Sequence, residues 1–139
     1  MENSELIKLA KNTREKAYAP ISKYKVGAVL QTKQGNVYLG CNVEDSSTRA
    51  GSCAERVAIF NAIANSSEDR EFEKIVLVGG YTSDKLDKIT PCGTCRQLMS
   101  EFCKPDFEII NFYIENGEEK TVVYKLENIF PQSFTIKKI

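Results

Sequence analysis

Three cysteines and one glutamate are spaced for metal-assisted chemistry. Cys53 and Glu55 are separated only by Ala54, and Cys92 and Cys95 form a Cys-x-x-Cys pair behind Pro91. Zinc takes about four ligands in a tetrahedron, and a site that performs chemistry keeps one position for water. Cys92 and Cys95, three apart at a predicted helix start, turn both sulfurs toward one point. Cys53, at the start of another predicted helix, supplies the third thiolate, and helix N-termini favour negative charge. Glu55 projects from the same turn toward the open position, where a carboxylate can move protons between water and a substrate. Three thiolates on one Zn²⁺ leave a net negative site that suppresses ionisation of a bound water. Arg56, beside the cluster, and the two helix dipoles can offset that charge.

The rest of the composition narrows the choice. There are five cysteines and no histidine, so a transition-metal site must be sulfur-rich and proton transfer must use carboxylates, thiols, lysines or tyrosines. An odd cysteine count argues for reduced thiols rather than a disulfide framework. Cys41 and Cys103 are expected to be small buried hydrophobes, although either would serve as fourth ligand in a closed structural zinc site. A thioredoxin-like role for Cys92 and Cys95 is the redox alternative, which Cys53-Ala54-Glu55 disfavours. Lys plus Arg equals Asp plus Glu at 19 each, which speaks against nucleic acid as a partner. No apolar run reaches membrane-spanning length, so no membrane partner is expected. The polar opening Met1-Glu2-Asn3-Ser4-Glu5 lacks a signal-peptide pattern, and the expected location is cytoplasmic.

The elements that must position these residues follow from periodicity and punctuation. An apolar stripe from Leu6 to Tyr18 predicts a helix closed by Pro20. Tyr24–Thr32 and Val37–Val43 read as a hairpin around Lys33-Gln34-Gly35-Asn36. Cys53–Ala64 reads as a helix apolar around most of its circumference, to be covered by a sheet or a subunit. Lys74–Tyr81 reads as a strand buried on both faces. A third helix starts at Thr90-Pro91-Cys92-Gly93 and runs to about Cys103. Phe107–Ile114 and Thr121–Tyr124 are strands about the Asn116-Gly117 turn, and Leu126, Ile129, Phe130 and Phe134 belong to a short C-terminal element. Lys137 and Lys138 read as solvated surface. With no repeat or linker, residues 1–139 are expected to form a single α/β domain, three-layered, with a mixed five-stranded sheet. Its site is expected where crossover helices begin, at the carboxyl ends of strands.

On these residues the chain resembles the small homotetrameric zinc-dependent cytidine deaminases. The resemblance rests on the stretch from Ala17 to Val26-Gly27-Ala28, on Gly40-Cys41-Asn42-Val43-Glu44, and on Cys53-Ala54-Glu55-Arg56. Pro91-Cys92-Gly93-Thr94-Cys95-Arg96-Gln97 and Phe130-Pro131-Gln132-Ser133-Phe134 complete it. The two zinc motifs also fit the general signature of zinc deaminases, in which the glutamate is not a ligand. The resemblance implies an α/β/α cytidine-deaminase-like fold, one zinc per subunit, and hydrolysis of cytidine and 2′-deoxycytidine to the uridines with release of ammonia, a step of pyrimidine salvage. It implies Glu55 as catalytic residue and Asn42 and Glu44 on the ribose. It also implies Tyr24 and Ala54 at the pyrimidine, Phe134 reaching into a neighbouring subunit of a homotetramer, and Arg56 compensating charge at the metal.

Two departures from that family stand out. Tyr24 occupies a position that is usually Phe. After Asn42-Val43-Glu44 the family typically continues N-A-S-[YF]-G-L-T ahead of the zinc cysteine, where this chain reads Asp45-Ser46-Ser47-Thr48-Arg49-Ala50-Gly51-Ser52. Spacing to Cys53 is kept, so the changes fall on the pocket rim and a subunit contact. A deaminase of a modified cytosine nucleoside such as blasticidin S is therefore the alternative. Two bland roles remain open: loop polar groups for Asn42 and Glu44, and core aromatics for Tyr24 and Phe134.

Overall fold

The structure, a computed structural model, describes residues 1–136, so Lys137 and Lys138 lie outside the described residues. Helix α1 (Asn3–Arg14) is followed by β1 (Lys25–Thr32), β2 (Val37–Cys41), α2 (Ala54–Asn65), β3 (Phe72–Gly80), α3 (Gly93–Phe102), β4 (Glu108–Glu115), β5 (Glu118–Lys125) and the single turn α4 (Leu126–Ile129). The strands form one sheet in the order β2-β1-β3-β4-β5. β1 is antiparallel to both neighbours, β3 and β4 are parallel, and β4–β5 is an antiparallel hairpin. Both hairpins turn through left-handed residues: Gly35 in the first, Asn116 and Gly117 in the second. The expected α/β class with a mixed five-stranded sheet is the one observed.

Alternation along the strands divides the core. Ala28, Leu30, Ile75, Leu77 and Ile109 face α2 and α3, with Ala54, Ala58, Ile59, Ala62 and Met99 packed on them. Val29, Val76, Val78 and Ile110 face the other way, under Leu6 and Ala10 of α1. β3 is buried on both faces from Ile75 to Gly80, as its continuous apolar run predicts. The helices thus make the two outer layers.

Strands β2 and β3 flank β1 and run the same way, so α2 crosses over β1 and α3 crosses from β3 to β4. Both helices therefore start at the same end of the sheet. Helix α1 stops at Arg14, well short of Pro20. The reason lies in Tyr18, whose N–H donates to the Asn42 carbonyl (3.0 Å) and whose carbonyl accepts from the Glu44 N–H (2.8 Å). Those backbone groups cannot also serve a helix.

The outer layers approach the sheet closely where glycine allows it. A Cβ on Gly40 would sit 2.3 Å from the Ala54 carbonyl oxygen and 2.5 Å from the Ala58 nitrogen, both backbone atoms of α2. Gly40→Ala is expected to push the start of α2 off the sheet and cost roughly 3 kcal/mol. Urea denaturation of the zinc-loaded protein and its zinc content measure the effect, and both should fall together.

Candidate metal centre and substrate cleft

Cys53 and Cys92 occupy the N-cap positions of α2 and α3, where Ser, Thr, Asp or Asn would ordinarily cap the helix, and neither makes a side-chain cap. Their sulfurs are free to point elsewhere. Cys53 Sγ and Cys92 Sγ are 3.8 Å apart, and with Cys95 Sγ all three lie within 4.8 Å of one another. Zn–S bonds of about 2.3 Å give a tetrahedral S···S edge of about 3.8 Å. The donor set fits zinc. Among the described residues no other group of cysteines, aspartates and glutamates converges in this way, and Cys41 and Cys103 stand outside the cluster. Burial raises both of those thiols; Cys103 packs against the core, and Cys41 and Cys103 are half-buried rather than the small buried hydrophobes expected.

Electrostatics within the cluster favour one anionic sulfur, at Cys53. Hydrogen bonding to Cys95, aided by Arg56, draws Cys53 down to about 5, and the proton retained between them holds Cys95 above the ordinary thiol range. Arg56 Nη2 lies 3.7 Å from Cys53 Sγ. Glu55 is buried on the first turn of α2 and, among the described residues, forms no ion pair. Burial raises its carboxyl to about 7, with the Cys53 charge adding to the shift. It is not a solvated carboxylate at a helix start.

A cleft of about 320 Å³ opens beside the cluster, lined in part by Asn42, Glu44, Asp45, Thr48, Cys53 and Arg56. Its rim is held by polar side chains. Asn42 Oδ1 accepts from the Val26 N–H and Asn42 Nδ2 donates to the Tyr24 carbonyl, both at 2.8 Å. Glu44 accepts from the Ile21 N–H (2.9 Å), the Ser22 N–H (3.0 Å) and the Ser22 hydroxyl. Asn42 and Glu44 therefore do fasten loops, while still facing the cleft. Asp45 accepts from the N–H groups of Ser47, Ala50 and Gly51 and from the Ser47 hydroxyl, closing the 45–51 loop on itself. That loop drives Thr48 to a φ of 61°, unusual for a β-branched residue. The departure before Cys53 is thus a built rim.

Tyr24 is half-buried over Gly79, at the site-bearing end of the sheet. Phe134 is 61% exposed and does not enter its own chain's cleft. It is no core aromatic. Ala54 is fully buried between Cys53 and Glu55. Two residues that follow Cys95 directly also hold the site, although cysteine spacing gives them no role. Arg96 donates to the Pro91 and Ile129 carbonyls (2.8 and 2.6 Å) and to Thr90 Oγ1 (3.1 Å), tying the Cys92 loop to the C-terminal turn. Gln97 Nε2 donates to the Phe134 carbonyl (2.8 Å). Their place in the Cys-x-x-Cys-Arg-Gln run was the available signal.

Residues 1–110 match the family model described as the cytidine and deoxycytidylate deaminase zinc-binding region. The chain belongs to that family. A cytidine deaminase of Sporosarcina psychrophila is 37% identical over 126 residues, 91% of this chain and 88% of the relative. A crystal structure of cytidine deaminase from Burkholderia pseudomallei has a TM-score of 0.80 at 43% identity, covering 96% of this chain and 100% of that one. A blasticidin-S deaminase of Bacillus cereus is 34% identical over 118 residues, 82% of this chain and 79% of the relative. As a member of this zinc-binding deaminase family the chain is a hydrolytic deaminase, with Cys53, Cys92 and Cys95 positioned to hold the ion.

The Glu44 bonds give the rim a pH signature. Hydrogen bonds from Ser22, chiefly its hydroxyl, hold the Glu44 carboxyl below its ordinary value. A lowered carboxylate contributes stability above its unfolded pKa and loses it as pH falls through the lowered folded one. The stability lost in Glu44→Gln is therefore expected to stay constant from about pH 8 to about pH 5 and to shrink only below that. Denaturation midpoints of both proteins across pH check this.

Proposed function

We propose that the 139-residue chain acts as a single domain that deaminates cytidine and 2′-deoxycytidine to uridine and 2′-deoxyuridine, releasing ammonia. The observation that carries this reading is the buried Glu55 beside three converging thiols, at a cleft whose rim bears Asn42 and Glu44. Zinc, when bound, supplies a Lewis acid that makes water a nucleophile near neutral pH. Glu55 takes the proton that water gives up as oxygen bonds to C4, and passes it to ring N3. It then moves the second water proton to the exocyclic nitrogen as the C4–N bond breaks, so ammonia leaves and Glu55 is restored as a carboxylate. Burial keeps bulk water from competing for these protons.

The remaining site residues act on binding. Asn42 has a second amide hydrogen and Glu44 has unused lone pairs, and both face the sugar hydroxyls. Tyr24 packs on the pyrimidine and Ala54 contacts it from the first turn of α2. Arg56 spreads positive charge over Cys53, which restores the acidity that three thiolates would remove. Phe134 and Phe60 are both more than half exposed, which supports a homotetramer in which Phe134 enters a neighbour's cleft. Among the described residues no helix is long and apolar enough to cross a membrane. The chain's place is read as the cytoplasm, in pyrimidine salvage.

The rim formed by Asp45–Ser52 and the likeness to a blasticidin-S deaminase favour one second reading, a deaminase of a modified cytosine nucleoside. A panel of cytidine, deoxycytidine, cytosine and blasticidin S, followed by loss of cytosine absorbance and ammonia release, decides between them. Turnover of the two nucleosides is expected, and turnover of blasticidin S alone would establish the second reading instead.

Glu55→Gln is expected to keep its zinc and lose at least about a thousandfold in kcat. Full activity in a zinc-loaded Glu55→Gln protein would remove Glu55 from the mechanism.

A further inference from the structure

The segment between β3 and α3 folds back over the end of β3 and is pinned on both sides of Asp87. Leu86 is buried, and its carbonyl accepts from the Ile114 N–H at 2.9 Å. The Asp87 N–H donates to the Gly79 carbonyl at 2.7 Å. Ile89 N–H donates to Oδ1 of the fully buried Asn111 at 2.8 Å. Three anchors in four residues leave the Asp87 side chain little freedom of placement. It accepts the Tyr24 hydroxyl at 2.9 Å.

Tyr24 is held at several other points. Its carbonyl accepts from Asn42 Nδ2 at 2.8 Å, and its ring meets the Tyr81 ring edge-on, with centroids 4.9 Å apart and planes at 89°. The ring lies close over Gly79, where a Cβ would stand 3.2 Å from Tyr24 Cε1. Burial and the bond to Asp87 both raise the phenol, so the hydroxyl stays protonated and donating. A phenylalanine here would keep the backbone, Gly79 and Tyr81 contacts but lack the bond to Asp87. The tyrosine adds an anchor at the far end of the ring.

We propose that Asp87 is a positioning residue for substrate binding, holding the Tyr24 ring in the orientation that meets the pyrimidine. The inference rests on the reading of Tyr24 as the ring against the base. It gives the extra hydroxyl at this position a use. Bound to Asp87, that hydroxyl is satisfied outside the stacking surface and does not add an unpaired polar group beside the base. Asp87 does not touch the substrate, so its effect appears in binding and passes through Tyr24. Loss of a uniform binding contribution raises KM and leaves kcat nearly alone.

The test is a double-mutant cycle on the zinc-loaded protein with cytidine as substrate. Asp87→Ala is expected to raise KM about fivefold with little change in kcat, the scale of one partly exposed hydrogen bond. Asp87→Asn, which keeps an acceptor, should recover most of that loss. In a Tyr24→Phe background Asp87→Ala should add nothing further. An unchanged KM in Asp87→Ala, or the same rise in both backgrounds, would overturn the proposal. Tyr24→Ala separates the two levels: a large rise in KM supports the ring at the base. No rise would sink that reading, whatever Asp87 does.

Discussion

Sulfur coordination of a tetrahedral ion tolerates little error. With Zn–S bonds of about 2.3 Å, each pair of sulfurs must stand about 3.8 Å apart, and a misplaced helix would break the set. The three thiols come from two helices separated by a strand and a long loop, so the fold has to deliver two helix starts to one place. Crossover topology does the coarse part, because β2 and β3 run in the same direction on either side of β1. Close contacts do the fine part. Gly40 lets α2 rest on β2, Arg96 holds the Pro91 carbonyl just ahead of Cys92, and Asn111 holds the loop that leads there.

The same geometry places costs at the site. Both N-cap positions are given to cysteines that do not cap, and a carboxylate is buried beside them without an ion pair among the described residues. Each choice opposes stability taken alone. They are consistent only if a cation is to be held there and protons moved beside it, which is where local rules are expected to fail. The surrounding core supplies the compensation. Ala54, Ala58, Ile59 and Ala62 on α2 are fully buried on the sheet, so the helix that carries the uncapped end is secured along its length.

What could be read from residue order was whatever has a local pattern. Turn residues located the two hairpins, a continuous apolar run located β3, and the cysteine spacing located the metal cluster. The end of α1 was misplaced because Tyr18 gives its backbone groups to Asn42 and Glu44, a partner more than twenty positions away that no local pattern announces. The apolar outer surface of α2 was legible as needing cover, and Phe60 is still half exposed in the single chain. The hydroxyl of Tyr24 meets Asp87 across 63 positions, and Glu44 meets Ser22 across 22. Such pairs arise from folding, not from sequence neighbourhood.

Floor and rim of the site are therefore built by different physics. The floor depends on packed helices and on sulfur distances, and few substitutions keep both. The rim depends on three carboxylates, Glu44, Asp45 and Asp87, each bonded to donors within its own chain. Asp87 takes its donor from a side chain, the Tyr24 hydroxyl, whereas Glu44 and Asp45 accept from backbone N–H groups as well as from the Ser22 and Ser47 hydroxyls. Asp45 closes 45–51 through the backbone N–H groups of Ser47, Ala50 and Gly51. That division agrees with the resemblance noted in the sequence, which puts the departure in the segment before Cys53 and not at the thiols.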